Sequence, residues 1–520
     1  MKKLALISVY DKSGIVEFAS ELVNLGFDII STGGTYKLLT QKNIPVTPVD
    51  KITEFPEVLD GRVKTLHPNI FSGILADKKN PEHLKEIEKH KLLLLDLVVV
   101  NLYPFEDTIK KPGVTLPEVI EQIDIGGVSL IRAAAKNYEN INVIVDISQY
   151  DYYVELLKQY DNKIPEEISQ LFAARAFDYI NNYDFAISEY FKILGDKSKV
   201  DSEKKNKILS SSTKFIKLSE SQKLRYGENP DQKAVLYKTN FEEIFEVLHG
   251  KEISYNNLLD IDSAVYLINE FWNEGPTCGI VKHGNPCGVA VSVNLTDAYL
   301  NARNTDPVSS YGGIVIFNRK LDLKTSIEVD KLFTEIIIAP EFGDDVLELL
   351  KKKKNRRLIR YSFYKDNYEL KSVSGGFLYQ DKQAKLFDKG SLKIVTNAKP
   401  DEQQIEDMEF AVKIVKCTKS NAVVFVKNKR TIGIGGGQPS RVDSTKIAIL
   451  KAKQFNLDLK DTVVASDAYF PFADSISEIA KAGSKAIIQP GGSVRDEEVI
   501  KAADESNIAM AFSGIRYFRH

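Results

Sequence analysis

Two short loops near the N-terminus carry residue types that can bind a phosphate group. Residues 8–14 (SVYDKSG) and 31–35 (STGGT) each follow a short apolar stretch and precede a helical pattern. A helix N-terminus presents unpaired backbone N–H groups, and glycine lets an anion approach them closely. Either loop alone is explained equally well as an ordinary helix cap, but two in succession favour a phosphate site. Neither matches the spacing of a Walker A loop.

Further polar groups in the first 140 residues could supply acid–base chemistry. The turn at 61–68 (GRVKTLHP) joins two cations and a hydroxyl, and arginine suits bidentate contact with phosphate. Residues 101–105 (NLYPF) follow a buried strand, where open sheets place ligand groups. Asp124 stands between isoleucines, and burial would raise its pKa unless it is paired. Lys136 is its expected partner, and a structural ion pair is the commoner explanation for such a pair taken alone.

The sharpest motif is VKHGNPCG at 281–288, at the end of a predicted buried strand. Adjacent Lys282 and His283 on a tight turn suit proton transfer beside a cation that stabilises developing negative charge. Cys287 is interpreted as a packing residue rather than a nucleophile.

Other glycine, aromatic and cationic motifs follow in the C-terminal part. Residues 433–441 (GIGGGQPSR) fail the dinucleotide-binding spacing at the last glycine. We interpret them as a loop where backbone approaches a ligand, with Arg441 as a clamp. Residues 224–230, 466–472 and 514–520 add aromatics and cations. An aromatic slot would suit a flat heterocycle, and ordinary core aromatics explain the same pattern equally well.

Alternating strands and helices would have to position these residues. Strands predicted at 4–9, 28–30, around 46, 94–102 and 142–146, with helical patterns between them, indicate a parallel sheet covered by helices. A long helix is predicted over 160–192. The polar, serine-bearing run after it predicts a domain at 1–195, a linker at 196–215 and a second domain at 216–520. About 300 residues is large for one core, so two lobes are expected there. No internal repeat is evident.

The composition argues against several classes of protein. The 520 residues are 43% hydrophobic and 10% aromatic, which excludes general disorder. A net charge of −2 gives no bulk electrostatic case for nucleic acid or a membrane surface. The three cysteines lack the spacing of a disulfide framework or a zinc site. Asp11 and Lys12 come too early for a signal peptide. We expect a cytoplasmic protein without zinc, nucleic acid or membrane contacts.

Taken together, these motifs resemble the bifunctional purine-biosynthesis enzymes that join phosphoribosylaminoimidazolecarboxamide (AICAR) formyltransferase to inosine monophosphate (IMP) cyclohydrolase. The matching strings run through the whole chain in order: SVYDKSG, STGGT, GRVKTLHP, NLYPF, QIDIGG, RAAAKN, LRYGENPDQ, NNLLD, VKHGNPCG, SSYGG, IIIAP, KSNAV, GIGGGQPSR, SDAYFPF and RYFRH. The resemblance implies an α/β protein. Its N-terminal domain would be a methylglyoxal-synthase-like parallel-sheet domain, and its C-terminal domain a two-lobed cytidine-deaminase-like α/β domain.

The resemblance also implies two consecutive reactions. The second domain would transfer a formyl group from the co-substrate 10-formyltetrahydrofolate to the 5-amino group of AICAR. The first would close the formylated product (FAICAR) to IMP with loss of water. The family forms homodimers with transferase sites shared across the interface. The deaminase-like fold is not expected to bring zinc, and the sequence leaves open whether a monovalent cation binds.

By the family's pattern, each group of candidate residues has an implied role. The cyclisation residues would be Lys64, Tyr103, Asp124 and Lys136. The phosphate and ribose would contact Ser8, Lys12, Ser13, Gly14, Ser31, Thr32, Gly33, Gly34, Arg62 and Thr65, with Asn101, Gly126 and Gly127 also binding substrate. The transfer would use Lys282 and His283, with Asn421 nearby. Nucleotide or folate would be bound by Arg225, Tyr226, Asn257, Arg441, Phe470 and Arg516.

The chemistry of both steps suits these residue types. An aromatic amine is a poor nucleophile, so His283 would act as a general base while Lys282 stabilises the oxyanion. In the cyclisation, Asp124 would take the amide proton. Lys136 or Lys64 would stabilise the oxygen that leaves as water.

Three alternatives compete with this interpretation. A nucleotide-sensing regulatory protein would need only the phosphate loops, and it would leave Asp124 and the Lys282–His283 pair without a task. A nicotinamide-dependent oxidoreductase built on GIGGGQ conflicts with the failed glycine spacing. An enzyme that has lost one activity conflicts with the retention of motifs in both halves of the chain.

Overall fold

The computed structural model describes residues 2–56, 63–196, 198, 200–208, 218–238, 241–383 and 385–520. The chain divides into two compact units, Met1–Ile216 and Lys217–His520. They are called the first and the second unit below.

The first unit is built on a five-stranded sheet in which all neighbouring strands run parallel. Its strands are β1 (Lys3–Val9), β2 (Phe27–Ser31), β3 (Thr47–Pro48), β4 (Leu97–Asn101) and β5 (Asn142–Ile144). Their spatial order is β3-β2-β1-β4-β5. The parallel sheet predicted from the alternating pattern is confirmed.

Helices surround this sheet. They are α1 (Ile15–Asn24), α2 (Gly33–Gln41), α3 (Asp50–Thr53), α4 (Pro68–Leu75), α5 (Pro81–Lys89), α6 (Phe105–Ile109), α7 (Leu116–Ile120), α8 (Gly126–Lys136), α9 (Tyr150–Gln159), α10 (Glu166–Asp196) and α11 (Ser202–Ile208). The last of these lies inside the segment predicted as a linker. Side chains alternate along the central strands, so Leu6 and Val98 pack toward α8 and α10 while Ile7 and Val99 pack toward α1 and α9. Burial on both faces explains the continuous apolar runs of these strands.

The second unit contains a twelve-stranded mixed sheet and two separate hairpins. Its strands are β6 (Ser219–Leu224), β7 (Ala234–Lys238), β8 (Phe245–His249), β9 (Thr277–Lys282), β10 (Asn285–Val291), β11 (Ile314–Phe317), β12 (Ile336–Ala339), β13 (Arg357–Tyr361), β14 (Tyr368–Val373), β15 (Gly376–Asp381), β16 (Lys393–Ile394), β17 (Val423–Lys427), β18 (Arg430–Gly435), β19 (Val463–Ser466), β20 (Ala486–Gln489) and β21 (Ala509–Phe512). Its helices are α12 (Phe241–Ile244), α13 (Tyr255–Asn269), α14 (Leu295–Thr305), α15 (Pro307–Ser310), α16 (Leu323–Asp330), α17 (Asp344–Leu350), α18 (Glu402–Lys416), α19 (Arg441–Gln454), α20 (Asp474–Lys481) and α21 (Asp496–Glu505).

The large sheet repeats one arrangement twice. Its order is β16-β21-β20-β19-β17-β18-β10-β9-β11-β12-β13-β8. Each half contains an antiparallel hairpin at the middle of the sheet, then three mutually parallel strands, then an antiparallel edge strand. We call β8–β13 the first half and β16–β21 the second half.

This repeat is one of strand topology, and the sequence itself shows no internal repeat. The two halves share strand order and the placement of the helices between the strands. Where two lobes are expected, the second unit has two halves of one continuous sheet, because β10 pairs with β18. One hydrophobic cluster covers a whole face of it, including Val281, Ile316, Val424 and Ala465.

Candidate active sites

A cavity of about 460 Å³ opens at the carboxyl ends of β1, β2 and β4 in the first unit. These three strands are neighbours in a parallel sheet, so the loops that follow them meet at one edge. The predicted residues that line it are Ser8, Lys12, Thr32, Gly33, Gly34, Lys64, Thr65, Asn101, Tyr103, Asp124, Gly126 and Gly127. The structure thus brings together most of the residues predicted for the cyclisation site.

The two glycine-containing loops form one side of this cavity. The Ser8 and Thr32 hydroxyls lie 2.8 Å apart, so Thr32 bonds across to the neighbouring loop instead of capping α2. The Lys12 ammonium donates to the carbonyl of Tyr10 at 3.0 Å. A Cβ atom built on Gly34 would lie 3.6 Å from the Lys12 ammonium nitrogen. Hydroxyls, an ammonium group and the first turn of a helix therefore surround one space, as phosphate binding requires.

Asn101 holds the first of these loops in place. Its Oδ1 accepts from the N–H groups of Tyr10 and Asp11 at 2.6 and 2.9 Å, and its Nδ2 donates to the Asp11 carbonyl at 2.9 Å. The rings of Tyr10 and Tyr103 meet edge to face at 5.4 Å, and both are substantially exposed. Tyr10 is a cavity residue that the sequence did not single out.

Asp124 lies on the opposite wall, in the loop before α8. Its N–H donates to the Tyr183 hydroxyl at 2.8 Å, and that hydroxyl donates to the Gln122 carbonyl at 2.6 Å. Its Oδ1 accepts from the N–H of Gly127 at 2.7 Å. Burial raises the pKa of the Asp124 carboxyl, and the Gly127 N–H partly offsets this by stabilising the carboxylate. A half-buried carboxyl with a raised pKa is suited to exchange a proton with a ligand.

Lys64 and Thr65 lie between these two walls. The Lys64 ammonium is 3.2 Å from where a Cβ on Gly33 would be. A Cβ atom built on Gly126 would lie 3.3 Å from the Thr65 hydroxyl oxygen. Glycine at both positions therefore leaves room for these side chains beside the cavity.

Several predicted residues of the first unit lie elsewhere. Lys136 is at the far end of α8, ten residues after Gly126, and a rise of about 1.5 Å per residue separates the two by roughly 15 Å. It is exposed and does not pair with Asp124, which corrects that expectation. Ser31 is buried beneath the loop, where its hydroxyl donates to the Ile7 carbonyl.

Three others complete the account of the first unit. Ser13 and Gly14 lie at the start of α1 and do not line the cavity, and Ser13 donates to Asp11. Arg62 lies outside the described residues.

In the second unit, Lys282 and His283 lie on the tight turn between β9 and β10. His283 and Gly284 both adopt left-handed backbone conformations, with φ of 52° and 73°. Two such residues in succession are typical of a type I′ hairpin turn. The Gly284 N–H donates to Asp260 at 2.7 Å, and the Lys282 ammonium donates to the Tyr311 carbonyl at 2.7 Å.

This turn faces a cavity of about 230 Å³. An ion pair between Asp306 and Lys451 lies at its wall. Cys287 also lines it, and burial raises the pKa of that thiol to about 12. The thiol is therefore protonated at neutral pH, as its interpretation as a packing residue requires.

Asn421 and Arg441 line a separate cavity of about 420 Å³. The Asn421 Oδ1 accepts from Arg441 at 2.8 Å, and its Nδ2 donates to the carbonyls of Gln438 and Pro439, each at 2.9 Å. Arg441 is buried and also pairs with Asp467. Arg441 therefore lines the cavity while its guanidinium is bound by Asn421 and Asp467.

The aromatic motif at 466–472 divides between core and cavity. Phe470 is fully buried in the hydrophobic cluster beneath the sheet, so its ring does not reach the cavity. Its neighbours Tyr469 and Phe472 are exposed and line the cavity with Arg516. The Arg516 guanidinium lies 4.6 Å from the centroid of the Phe518 ring.

The remaining predicted residues lie apart from these cavities. Arg225 and Tyr226 follow β6, with the guanidinium 5.6 Å from the ring centroid. Asn257 is buried, caps α13 with Ser254 and donates to Glu335 at 2.9 Å.

Two residues that lie in quoted motifs but are not among the candidate site residues support the His283 turn. Asp260 accepts from Gly284, as described above. Arg519 donates to the Gly284 carbonyl at 3.2 Å and to the Ser263 hydroxyl at 2.9 Å, which fastens the C-terminal tail to the same turn. Both contacts join residues far apart in the chain, so spacing gives no signal for them.

The described ranges contain neither a cluster of metal-ligating side chains nor a helix suited to span a membrane. No group of three or more His, Cys, Asp or Glu side chains in these ranges is placed to hold a metal ion. No helix in the same ranges is long and apolar enough to cross a bilayer.

The sequence is similar to known proteins along its whole length. Residues 134–451 match the family model described as AICARFT/IMPCHase bienzyme, and residues 14–129 match that of the MGS-like domain. The chain is 47% identical to the bifunctional purine biosynthesis protein PurH of Chlorobium phaeobacteroides, covering 100% of this chain and 99% of that protein. It is 49% identical to the PurH proteins of Caldicellulosiruptor saccharolyticus (100% of each chain) and Aquifex aeolicus (99% of this chain and 100% of that protein).

Proposed function

The chain belongs to the AICARFT/IMPCHase bienzyme family, and from this membership we propose which residues carry out each of its two reactions. The protein is a bifunctional AICAR formyltransferase and IMP cyclohydrolase of the final steps of purine biosynthesis. We assign cyclisation to the first unit and formyl transfer to the second. The observation that carries the assignment is the cavity in which phosphate-type loops face Asp124, Lys64 and Tyr103.

In the proposed cyclisation, Asp124 is the general base. The carboxamide nitrogen of FAICAR attacks the formyl carbon, and its proton passes to the carboxylate. The raised pKa of Asp124 makes it a better proton acceptor than an ordinary carboxylate. The carbon–oxygen bond of the former formyl group then breaks, and the oxygen leaves as water with the proton returned by Asp124 and the proton of the formamide nitrogen. Lys64, rather than Lys136, stabilises this leaving oxygen, because Lys64 lines the same cavity. Ser8, Lys12 and the first turn of α2 bind the phosphate.

In the proposed formyl transfer, His283 takes the proton of the AICAR amine as that nitrogen attacks the formyl carbon of 10-formyltetrahydrofolate. Lys282 stabilises the oxyanion of the tetrahedral intermediate. When the intermediate collapses, the carbon–nitrogen bond to the folate breaks, and the leaving nitrogen takes up the proton that His283 accepted. The left-handed turn supports this assignment, since it presents both side chains at one cavity.

The proposal extends to assembly and location. We propose a homodimer in which Asn421, Arg441 and Arg516 of one copy complete the site of the other, since they line a different cavity from His283. We also propose a cytoplasmic location, which three free, buried cysteines support. We propose no zinc and no nucleic-acid partner, on the cysteine spacing and the net charge of −2.

A single assay tests the proposal. Purified protein is mixed with AICAR and 10-formyltetrahydrofolate, and tetrahydrofolate, FAICAR and IMP are quantified by chromatography. The wild type should form tetrahydrofolate and IMP in step. His283→Ala should form neither from AICAR, yet should convert added FAICAR to IMP at the wild-type rate. Loss of both activities in His283→Ala would contradict the division of the reactions between the two units.

A further inference from the structure

The two halves of the large sheet share a contact that links a helix to a hairpin turn. In the first half, Asp260 is the sixth residue of α13 and accepts from the turn N–H of Gly284 at 2.7 Å. In the second half, Asp407 is the sixth residue of α18 and accepts from the turn N–H groups of Asn428 and Lys429 at 2.8 and 2.7 Å. Both helices have 15 residues.

The turns themselves correspond residue by residue. His283 and Gly284 have φ of 52° and 73°, and Asn428 and Lys429 have φ of 54° and 53°. The preceding lysines also match, because Lys282 donates to the Tyr311 carbonyl and Lys427 to the Lys460 carbonyl, each at 2.7 Å. Tyr311 and Lys460 each lie three residues before the next strand of their half.

The halves differ at the tip of the turn. The first half has histidine there, beside a cavity, whereas the second half has asparagine. A carboxylate on the helix therefore fixes a left-handed turn in both halves, and in one half that turn carries the proposed general base. A non-glycine residue rarely adopts positive φ without support from its surroundings.

We propose that Asp260 is a positioning residue for formyl transfer, which holds the Gly284 N–H and thereby orients His283 toward its substrate. This inference rests on the proposed role of His283. The positioning role of Asp260 requires a hydrogen-bond acceptor on the side chain of residue 260. Asp407 accepts from turn N–H groups in the same way, but its turn carries no proposed catalytic side chain. Asp407 is therefore the matched control.

The test measures transferase kcat and the KM for AICAR in the full-length protein, with cyclisation of FAICAR and thermal unfolding measured on the same samples. Asp260→Ala should lower transferase kcat on the order of 100-fold, the loss expected when a catalytic group is displaced by about 1 Å. The KM for AICAR should change far less, and the cyclisation rate should not change. Asp407→Ala should lower the unfolding temperature at least as much while keeping the wild-type transferase kcat.

Two conservative variants separate hydrogen bonding from charge. Asp260→Asn keeps an acceptor oxygen and should keep kcat within about tenfold of the wild type, since a neutral acceptor is weaker than a carboxylate. Asp260→Glu keeps the charge but moves the oxygens by one methylene, and it should lose most of the activity. This pair also decides the matter if Asp260→Ala does not fold.

Three results would overturn the inference. The first is a wild-type kcat in Asp260→Ala or Asp260→Glu. The second is a kcat loss in Asp407→Ala as large as that in Asp260→Ala. The third is an Asp260→Asn variant as impaired as Asp260→Ala. His283→Ala is assayed in parallel. If His283→Ala transfers formyl groups normally, the proposed function itself fails. If it is inactive while Asp260→Ala is normal, only the positioning role fails.

Discussion

The two candidate active sites are assembled in different ways. In the first unit, loops after three neighbouring parallel strands and the loop before α8 meet in one cavity of about 460 Å³. In the second unit, the predicted residues divide between a cavity that holds His283 and another that holds Asn421 and Arg516. In a parallel sheet the loops that follow the strands lie at one edge, the carboxyl edge. Antiparallel pairing places the loops after successive strands at opposite edges. The contrast favours a cyclisation site complete in one chain and a transferase site completed by a second copy.

The largest expected effect is the loss of cyclisation in Asp124→Asn. The amide cannot take the proton of the carboxamide, so the rate from FAICAR should fall by about 10²–10⁴-fold. Transferase activity should stay at the wild-type level, because Asp124 belongs to the first unit. Chromatography of FAICAR and IMP measures the first effect, and release of tetrahydrofolate measures the second. A parallel fall in both activities would show that the two sites are not independent.

The same substitution should stabilise the protein near neutral pH. Because the folded-state pKa of Asp124 is raised, the folded state binds more protons than the unfolded state between the ordinary and the raised value. The free energy of unfolding contributed by this group therefore falls as pH rises through that window. Asparagine can still accept from the Gly127 N–H without burying a charge. The variant should unfold at a higher temperature than the wild type at pH 7, and this advantage should disappear below the ordinary aspartate pKa.

The second prediction compares Lys282→Ala with Lys427→Ala. The two lysines occupy corresponding positions in the two halves of the sheet. Removal of the proposed oxyanion donor, Lys282, should lower transferase kcat by about 10²–10³-fold. Lys427→Ala removes an equivalent contact at a lysine that lines neither of the two proposed transferase cavities, and it should keep the wild-type rate. If both variants lose activity equally, the lysine at this position supports the hairpin rather than the reaction.

The third prediction asks whether two copies share a transferase site. Lys282→Ala and Arg516→Ala chains carrying different affinity tags are co-expressed, and the mixed dimer is isolated. If each site takes Lys282 from one copy and Arg516 from the other, one of the two sites is intact, and the mixed dimer should show about half the wild-type activity. If both residues of a site come from one chain, the mixed dimer should be no more active than the single variants.

The sequence predicted most of the first unit because its signals are local. Buried strands of a parallel sheet appear as apolar runs, and glycine-containing loops that follow them must lie at one edge, so the residues from Ser8 to Asp124 could be placed together. Pairing of Lys136 with Asp124 is wrong because complementary charge carries no information about distance, and α8 places Lys136 ten residues beyond Gly126. In the second unit, Asp260 and Arg519 act through contacts 24 and 235 residues away in the chain, which no motif spacing encodes.

The smallest expected effect concerns Phe470, which the family resemblance implies as a nucleotide or folate contact. The ring is fully buried in the core of the second half, while Tyr469 and Phe472 line the cavity. Phe470→Leu should therefore lower the free energy of unfolding by about 1 kcal/mol, the usual size of a hydrophobic exchange in a core, and leave the KM for AICAR unchanged. Phe472→Ala should do the reverse, with a raised KM and little change in stability, because its ring is exposed. A raised KM in Phe470→Leu at unchanged stability would mean that the ring reaches the ligand, and that the second site is more like the first than this structure indicates.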